Sequence, residues 1–285
     1  MRGLQDRLDL CSINTATLGH RSPIEQVIED IARRGFGGIC PWRRDLEGRD
    51  ARAIARRIRD AKLKVSGYCR STYLPALSPD AFDANVDDNR HAIDQAAELE
   101  AACFVMVVGS LPSGSRDLAA ARDQVTQGAR KLLEHARKVG VRLALEPLHP
   151  MYANDRSCLN TISQALDIAD AIEPDGGETP TIGLALDVYH VWWDPALKEA
   201  VARAGRGRRI FAFHVCDWLV PTRDFLTDRG MMGDGVIDIA SIRALVEHEG
   251  FRGQIEVEIF SDKNWWTRES DEILRVCAQR LMTVC

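Results

Sequence analysis

Four short apolar runs in the second half of this 285-residue chain end on a polar residue able to bind a cation. They are LALEP, closing at Glu146; GLALDVYH, at Asp187; FAFHVCD, at His214; and IEVEIF, at Glu258. Side chains alternate along a strand, which tests whether such residues converge. Two positions before each stand Ala144, Ala185, Ala212 and Glu256, on the same face. The alternate positions, Leu143 and Leu145, Leu184 and Leu186, Phe211 and Phe213, Val257 and Ile259, are bulky and apolar, suited to packing against helices. Three runs therefore read small inside, large outside and polar at the tip. The fourth departs, because Glu256 is charged on the inward face. Three carboxylates gathered beside an imidazole repel one another unless an opposite charge joins them, and one divalent cation supplies it. Mainly oxygen ligands with one histidine suit Mn²⁺, Mg²⁺ or Co²⁺, with Zn²⁺ also compatible.

Elements must hold these residues. Strand patterns fall at 9–14, 37–40, 64–70, 102–109, 141–146, 181–187, 210–215 and 254–260. Helical patterns lie between them near 23–34, 48–62, 81–99, 118–139, 157–172, 196–204, 237–249 and 270–283. Ser22-Pro23 reads as a cap with a first-turn proline, and Gly35, Gly140 and Gly250 follow helices as stops. Eight βα units in succession predict an α/β fold, one (β/α)₈ barrel over residues 1–285, with its chemistry at the C-terminal strand ends. A doubly wound sheet would want a glycine-rich phosphate loop after its first strand, and INTATLG at 13–19 is not one. The stretch EPDGGETPT at 173–181 reads as a loop too short to divide domains.

Net charge is −5 with both signs mixed along the chain, so no basic face for nucleic acid is expected. The basic stretches 52–64 and 203–209 read as solvated helix faces and a helix end. No apolar run approaches the roughly 20 residues that cross a bilayer, and MRGLQDRLDLCSIN lacks the apolar centre of a signal peptide. A cytoplasmic protein without membrane contact is expected. Eight cysteines without a C-x-x-C pair read as buried free thiols. His91 and His135 fall mid-helix, facing solvent.

With LALEPLHP, ALDVYH, FHVCDW, the GDG of Gly233-Asp234-Gly235 and VEIF in view, nearly the whole chain resembles the sugar phosphate isomerase/epimerase superfamily. These xylose-isomerase-like barrels include inosose isomerases, ketose 3-epimerases and hydroxypyruvate isomerases. The resemblance implies one metal ion held by Glu146, Asp187, His214 and Glu258, with Glu146 and Glu258 moving a proton through an enediolate of a small keto-sugar. It implies substrate contact by His190, three residues after Asp187, where packing against Trp192 or Trp193 is the alternative. An arginine after the metal histidine often holds a substrate oxygen; Arg223 and Arg229 are both available, neither at the usual spacing. His149, in the loop after Glu146, either meets substrate or shapes the loop. Trp42, Arg70 and Trp218 follow other strands and could line the pocket, while Trp265 and Trp266 could form a lid or a subunit contact. Homo-oligomers are common among such relatives.

Isomer and epimer remain open, since the proton returns to the neighbouring carbon or to the opposite face of the same one. A lyase or dehydratase acting on a keto-sugar or 3-keto-glycoside would need the same metal and base. An apurinic endonuclease on this barrel would need further metal-binding histidines. The third strand ends in Cys69-Arg70 and the fourth in Val107-Val108-Gly109 instead, and the region after His214 reads Asp228-Arg229-Gly230.

Overall fold

The computed structural model describes residues 1–174 and 177–285. The strands are β1 (Cys11–Asn14), β2 (Gly38–Cys40), β3 (Lys64–Val65), β4 (Tyr68–Cys69), β5 (Phe104–Met106), β6 (Leu143–Leu145), β7 (Ile182–Asp187), β8 (Ile210–Val215), β9 (Asp217–Trp218), β10 (Arg229–Gly230) and β11 (Ile255–Val257). The helices are α1 (Ile24–Arg33), α2 (Ala51–Asp60), α3 (Pro79–Glu98), α4 (Leu118–Val139), α5 (Ile162–Ile172), α6 (Val188–Val191), α7 (Leu197–Arg206), α8 (Ile239–His248) and α9 (Ser270–Thr283).

Nine strands form one sheet in the order β3-β2-β1-β11-β8-β7-β6-β5-β4, every pairing parallel. Its two ends, β3 and β4, are consecutive in sequence. The sheet therefore curls into a nearly closed barrel, and the Cys69 N–H reaches the Pro41 carbonyl at 3.0 Å across the seam. The expected single strand at 64–70 is thus two short ones. The break falls at Ser66-Gly67, where a glycine weakens the strand and the Ser66 hydroxyl turns to Glu256 at 2.7 Å.

Side-chain period and caps explain the helices. In α2 the buried residues Ile54, Ala55 and Ile58 share one face, and the Asp50 carboxylate caps the Arg52 N–H at 3.0 Å. Helix α4 begins on Asp117, which accepts from the Ala120 N–H at 2.9 Å, and stops at Gly140 with φ of 77°. Helix α5 starts later than the expected 157, because Thr161 is its capping residue and accepts from the Gln164 N–H. The antiparallel pair β9–β10 was not anticipated, since two-residue ladders leave no periodic trace. The loop expected at 173–181 includes positions 175 and 176, which lie outside the described residues.

The core has two layers. Leu143, Leu145, Leu184, Leu186, Phe213, Val257 and Ile259 join the large cluster that also holds the helix faces. Inside the barrel a smaller cluster holds Cys40, Cys69, Cys103, Val105, Ala144, Ala185, Phe211 and Ala212. Phe211 corrects the alternation read from sequence, which placed it outside. The β7–β8 register shifts between Leu184 and Ala185, whose partners are Ile210 and Ala212, so Phe211 is the extra residue and turns inward. All eight cysteines are buried and unbridged, as their apolar settings suggested.

Candidate metal centre

At the C-terminal strand ends Glu146, Asp187, His214 and Glu258 converge. One ligand atom from each lies within 4.8 Å of the other three, and all four residues are buried. At that separation two carboxylates repel by about 3 kcal/mol for an effective dielectric near 20. Arg229 offsets part of this: its Nη1 lies 2.8 Å from Asp187 Oδ2 and 3.2 Å from Glu258 Oε2. A single guanidinium does not balance three carboxylates. Glu146 Oε1 and both ring nitrogens of His214 are buried without a hydrogen-bond partner among the described residues. His214 Nδ1 stands 3.2 Å from Glu146 Oε1 and 3.7 Å from Glu258 Oε2, close but not aligned for hydrogen bonding. Unpartnered donors of these types, around one point with surplus negative charge, fit a divalent cation.

The field at the site acts on each group. Burial opposes charging His214, yet Glu256, Glu146 and Glu258 together hold its pKa well above the ordinary histidine value. Burial likewise works against ionised Asp187, but Arg229 and the neighbouring histidines keep that carboxyl below its ordinary range. Glu258 goes the other way, pushed by burial up to about 8. His190 is held down to about 3 by burial, so its ring is neutral.

Neighbouring elements set the positions. Asn14, closing β1, donates from Nδ2 to Glu256 Oε1 and to Glu258 Oε1, both at 2.9 Å. Glu256, the inward charge that broke the sequence pattern, is 1% exposed and sits beneath the site, held by Asn14 and Ser66 and 3.5 Å from His214 Nε2. It is a buried, hydrogen-bonded floor, and the metal group forms around Glu258 instead. Arg229 lies between two aromatic faces, its guanidinium carbon 4.4 Å from the Tyr189 ring centre and 4.8 Å from that of Phe260. The GDG motif anchors the loop that carries it. The buried Asp217 carboxylate accepts from the N–H groups of Gly233 at 2.8 Å and Ile237 at 3.0 Å. Gly233 has φ of 87°, and a β-carbon on Gly235 would strike the Trp218 carbonyl.

A cavity of about 150 Å³ is lined by Glu146 and Glu258 and bounded in part by Trp42, Arg70, Tyr152, Arg156, His190, Arg229 and Phe260. A larger hollow of about 920 Å³ lies at the opposite, N-terminal end of the barrel, away from the ligand cluster, with Glu256 at its inner limit. Of the substrate residues expected from sequence, His190 and Trp42 face the smaller cavity. His190 Nδ1 accepts from the His149 N–H at 3.2 Å, and the Trp42 indole donates to Asn14 Oδ1 at 2.6 Å. Arg223 does not face it. That side chain is 61% exposed and bound to Asp228 through Nε at 3.1 Å, so Arg229 is the arginine at the carboxylates. His149 likewise sits outside the lining, its ring stacked 4.9 Å from Trp218. Trp218 packs with Tyr189 and Trp192 behind the wall, while Arg70 does line the cavity. Trp265 is buried and Trp266 donates to the Ala16 carbonyl at 2.7 Å, so both pack into the chain. His91 is exposed and His135 pairs with Asp94. Sequence reasoning missed Asn14 as a site residue, although it closes a strand like the ligands do. It also missed Tyr152 and Arg156, which follow Glu146 in an irregular stretch, and Phe260, which closes the last strand pattern.

A family model described as the xylose isomerase-like TIM barrel matches residues 28–279, and the chain belongs to that family. It is 30% identical over 133 residues, 46% of its length, to an inosose isomerase of Halalkalibacterium halodurans. It is 24% identical over 256 residues, 87% of its length, to a 3-dehydroshikimate dehydratase of Pseudomonas putida. The matches span 43% and 38% of those relatives' own lengths, less than half of each. A crystal structure of a protein from Sinorhizobium meliloti superposes with a TM-score of 0.94 at 47% identity, covering 98% of this chain and 99% of that one.

Proposed function

We propose that the protein is a divalent-metal-dependent isomerase or epimerase of a small keto-sugar or inosose. The observation that carries this reading is the convergence of Glu146, Asp187, His214 and Glu258 within 4.8 Å, with two glutamates among them and neither ring nitrogen of His214 hydrogen-bonded among the described residues. When bound there, a divalent ion supplies Lewis acidity toward a carbonyl and its neighbouring hydroxyl. One of Glu146 and Glu258 takes the proton from the carbon beside the carbonyl, and the same or the other carboxylate returns a proton to carbon. Return to the neighbouring carbon yields the isomer; return to the opposite face yields the epimer. Arg229, fixed between Tyr189 and Phe260, keeps a positive charge beside the substrate oxygens as negative charge grows on them. His190, neutral and held by the His149 N–H, is placed to hydrogen-bond a substrate hydroxyl. Trp42 and Phe260 narrow the cavity and limit water. At about 150 Å³ the space is smaller than the roughly 300–1,000 Å³ usual for drug-sized ligands, which suits a small metabolite.

A dehydratase is the second reading, supported by the similarity to the 3-dehydroshikimate dehydratase over 87% of the chain. The same first proton transfer would then be followed by loss of a β-hydroxyl as water, the proton taken up by the base going to the leaving oxygen.

NMR in D₂O separates the two. Incubation with inososes, ketoses and 3-dehydroshikimate should give deuterium at one carbon without loss of mass for an isomerase or epimerase, and loss of water for a dehydratase. Glu146→Gln and Glu258→Gln should each lower turnover by at least about a thousandfold with circular dichroism unchanged, the scale expected for removing a general base from a working site. Full activity after EDTA treatment, with no divalent ion found by elemental analysis, would reject the metal-dependent reading.

A further inference from the structure

Three arginines line the 150 Å³ cavity, and they are not in the same electrostatic condition. Arg229 is paired with Asp187 and Glu258. Arg70 and Arg156 are not paired in that way. Among the described residues no carboxylate meets Arg70, whose Nη1 donates to the Ser71 carbonyl at 3.1 Å and whose guanidinium carbon lies 4.7 Å from the centre of the Tyr73 ring. Arg156 lies 5.8 Å from the centre of the Tyr152 ring, and its nearest carboxylate, the exposed Asp155, is 4.0 Å away. Other arginines do have close partners, as Arg43 has in Asp88 and Arg203 in Asp167 and Asp170.

Their placement is shared. Tyr73 and Tyr152 belong to one apolar cluster with Val107 and Leu148, and Val107, Leu148 and Tyr152 themselves face the cavity. Two partly buried arginines therefore rest on aromatic rings of one cluster, and both residues contribute to the lining of the cavity that Glu146 and Glu258 also line; Arg70 and Tyr73 also border a neighbouring surface hollow. Aromatic stacking and partial burial restrict both side chains, so less freedom is lost when an anion binds. A neutral sugar would leave Arg70 without a counter-charge and Arg156 with only acidic groups at the rim, Asp155 at 4.0 Å and Asp224. A planar carboxylate or a phosphate matches the guanidinium fork with charge-assisted hydrogen bonds.

We propose that the substrate carries an anionic group, a carboxylate or a phosphate, bound by Arg70 and Arg156 while its keto-bearing carbons reach Glu146 and Glu258. The proposal rests on reading the site as a proton-transfer centre for a small ketone, and it narrows that reading from neutral sugars to acidic or phosphorylated ones.

Two matched pairs test it by titration calorimetry: 3-dehydroshikimate against its methyl ester, and D-fructose 6-phosphate against D-fructose. In the unaltered protein one anion should bind at least about tenfold more tightly than its neutral partner, and the pair that shows this identifies carboxylate or phosphate. Arg70→Gln and Arg156→Gln, each checked by thermal melting, should each cut that preference about tenfold, the size of one charge-assisted contact. Equal binding of anion and neutral partner in both pairs, no binding of either anion, or a preference that survives in both variants would overturn the proposal. Solvent deuterium exchange is followed on the same four compounds. An anion preference without exchange leaves the arginine site standing and removes the proton-transfer reading; exchange without preference does the opposite.

Discussion

Asn14 gathers several contacts into one small side chain. Its Nδ2 donates to Glu256 and Glu258, while its Oδ1 accepts from the Trp42 indole at 2.6 Å and the Ala16 N–H at 3.1 Å. One amide thus orients a proposed metal ligand, the charge beneath it and a wall of the cavity. Groups that orient ligands from behind typically alter metal affinity by about 10- to 100-fold when removed. Asn14→Ala is expected to weaken divalent-ion binding by about tenfold and to lower stability by about 1–3 kcal/mol, because two buried carboxylates lose a donor. Metal titration with denaturant melts checks both, and unchanged affinity would remove Asn14 from the site. Glu258 and Glu256 also differ at this scale. Both lie on the inward face of one strand, but Glu256 is lower, engaged by Ser66, while Glu258 stands level with the other three ligands.

Strand β7 carries Asp187 at its end, and its start is fixed by Glu173. That buried carboxylate accepts from the N–H groups of Thr181 at 3.0 Å and Ile182 at 3.1 Å, from Arg209 Nη1 at 3.2 Å and from Arg137 Nη2 at 2.6 Å. Burial acts to raise its pKa, but Arg137 and the two N–H groups outweigh it and hold the carboxyl below its ordinary value. A group depressed in the folded state stabilises above its unfolded pKa, about 4.3 for glutamate, and that stabilisation is lost as pH falls through the lower folded value. Glu173→Gln is therefore expected to cost about 2–4 kcal/mol at pH 7, with the gap to the unaltered protein narrowing steadily below pH of about 4. Urea melts at several pH values check this, and a gap independent of pH would show that the charge is not what matters. The next residue along is equally constrained: a β-carbon on Gly183 would lie 2.7 Å from the Phe211 ring.

At the scale of the molecule, the four candidate ligands come from four adjacent strands, so a bound ion would tie half the barrel to one point. Strands β6, β7, β8 and β11 are consecutive neighbours in the sheet, so an ion bound at their ends links elements spread over more than a hundred residues. An ion that binds only the folded chain stabilises it by about 2.7 kcal/mol at a hundred times its dissociation constant. For a chain of this size that corresponds to a rise in melting temperature of about 4–5 °C. Scanning calorimetry of EDTA-treated protein with Mn²⁺, Co²⁺, Mg²⁺ or Zn²⁺ added should show such a rise, and Asp187→Asn should abolish it. No helix among the described residues is long and apolar enough to cross a membrane.

Much of this was legible in one dimension. Apolar runs of period two, separated by helical period, determine the βα succession, and a polar residue ending a run marks the ligand positions, because both signals are local. The fold does bring the atoms of the four strand-end residues, Glu146, Asp187, His214 and Glu258, within 4.8 Å of one another. Non-local effects decided the rest. Phe211 turned inward because a register shift between two strands is a property of the pair and of neither strand alone. Arg229 displaced Arg223 at the carboxylates because the Asp217–Gly233 contact and the Tyr189 and Phe260 rings fix the loop, and those partners are scattered along the chain. Arg70 follows a strand and was legible as a pocket residue, whereas Arg156, 86 positions further on, was not. Only the closed barrel, by setting Tyr73 and Tyr152 in one cluster, places both charges in the same cavity.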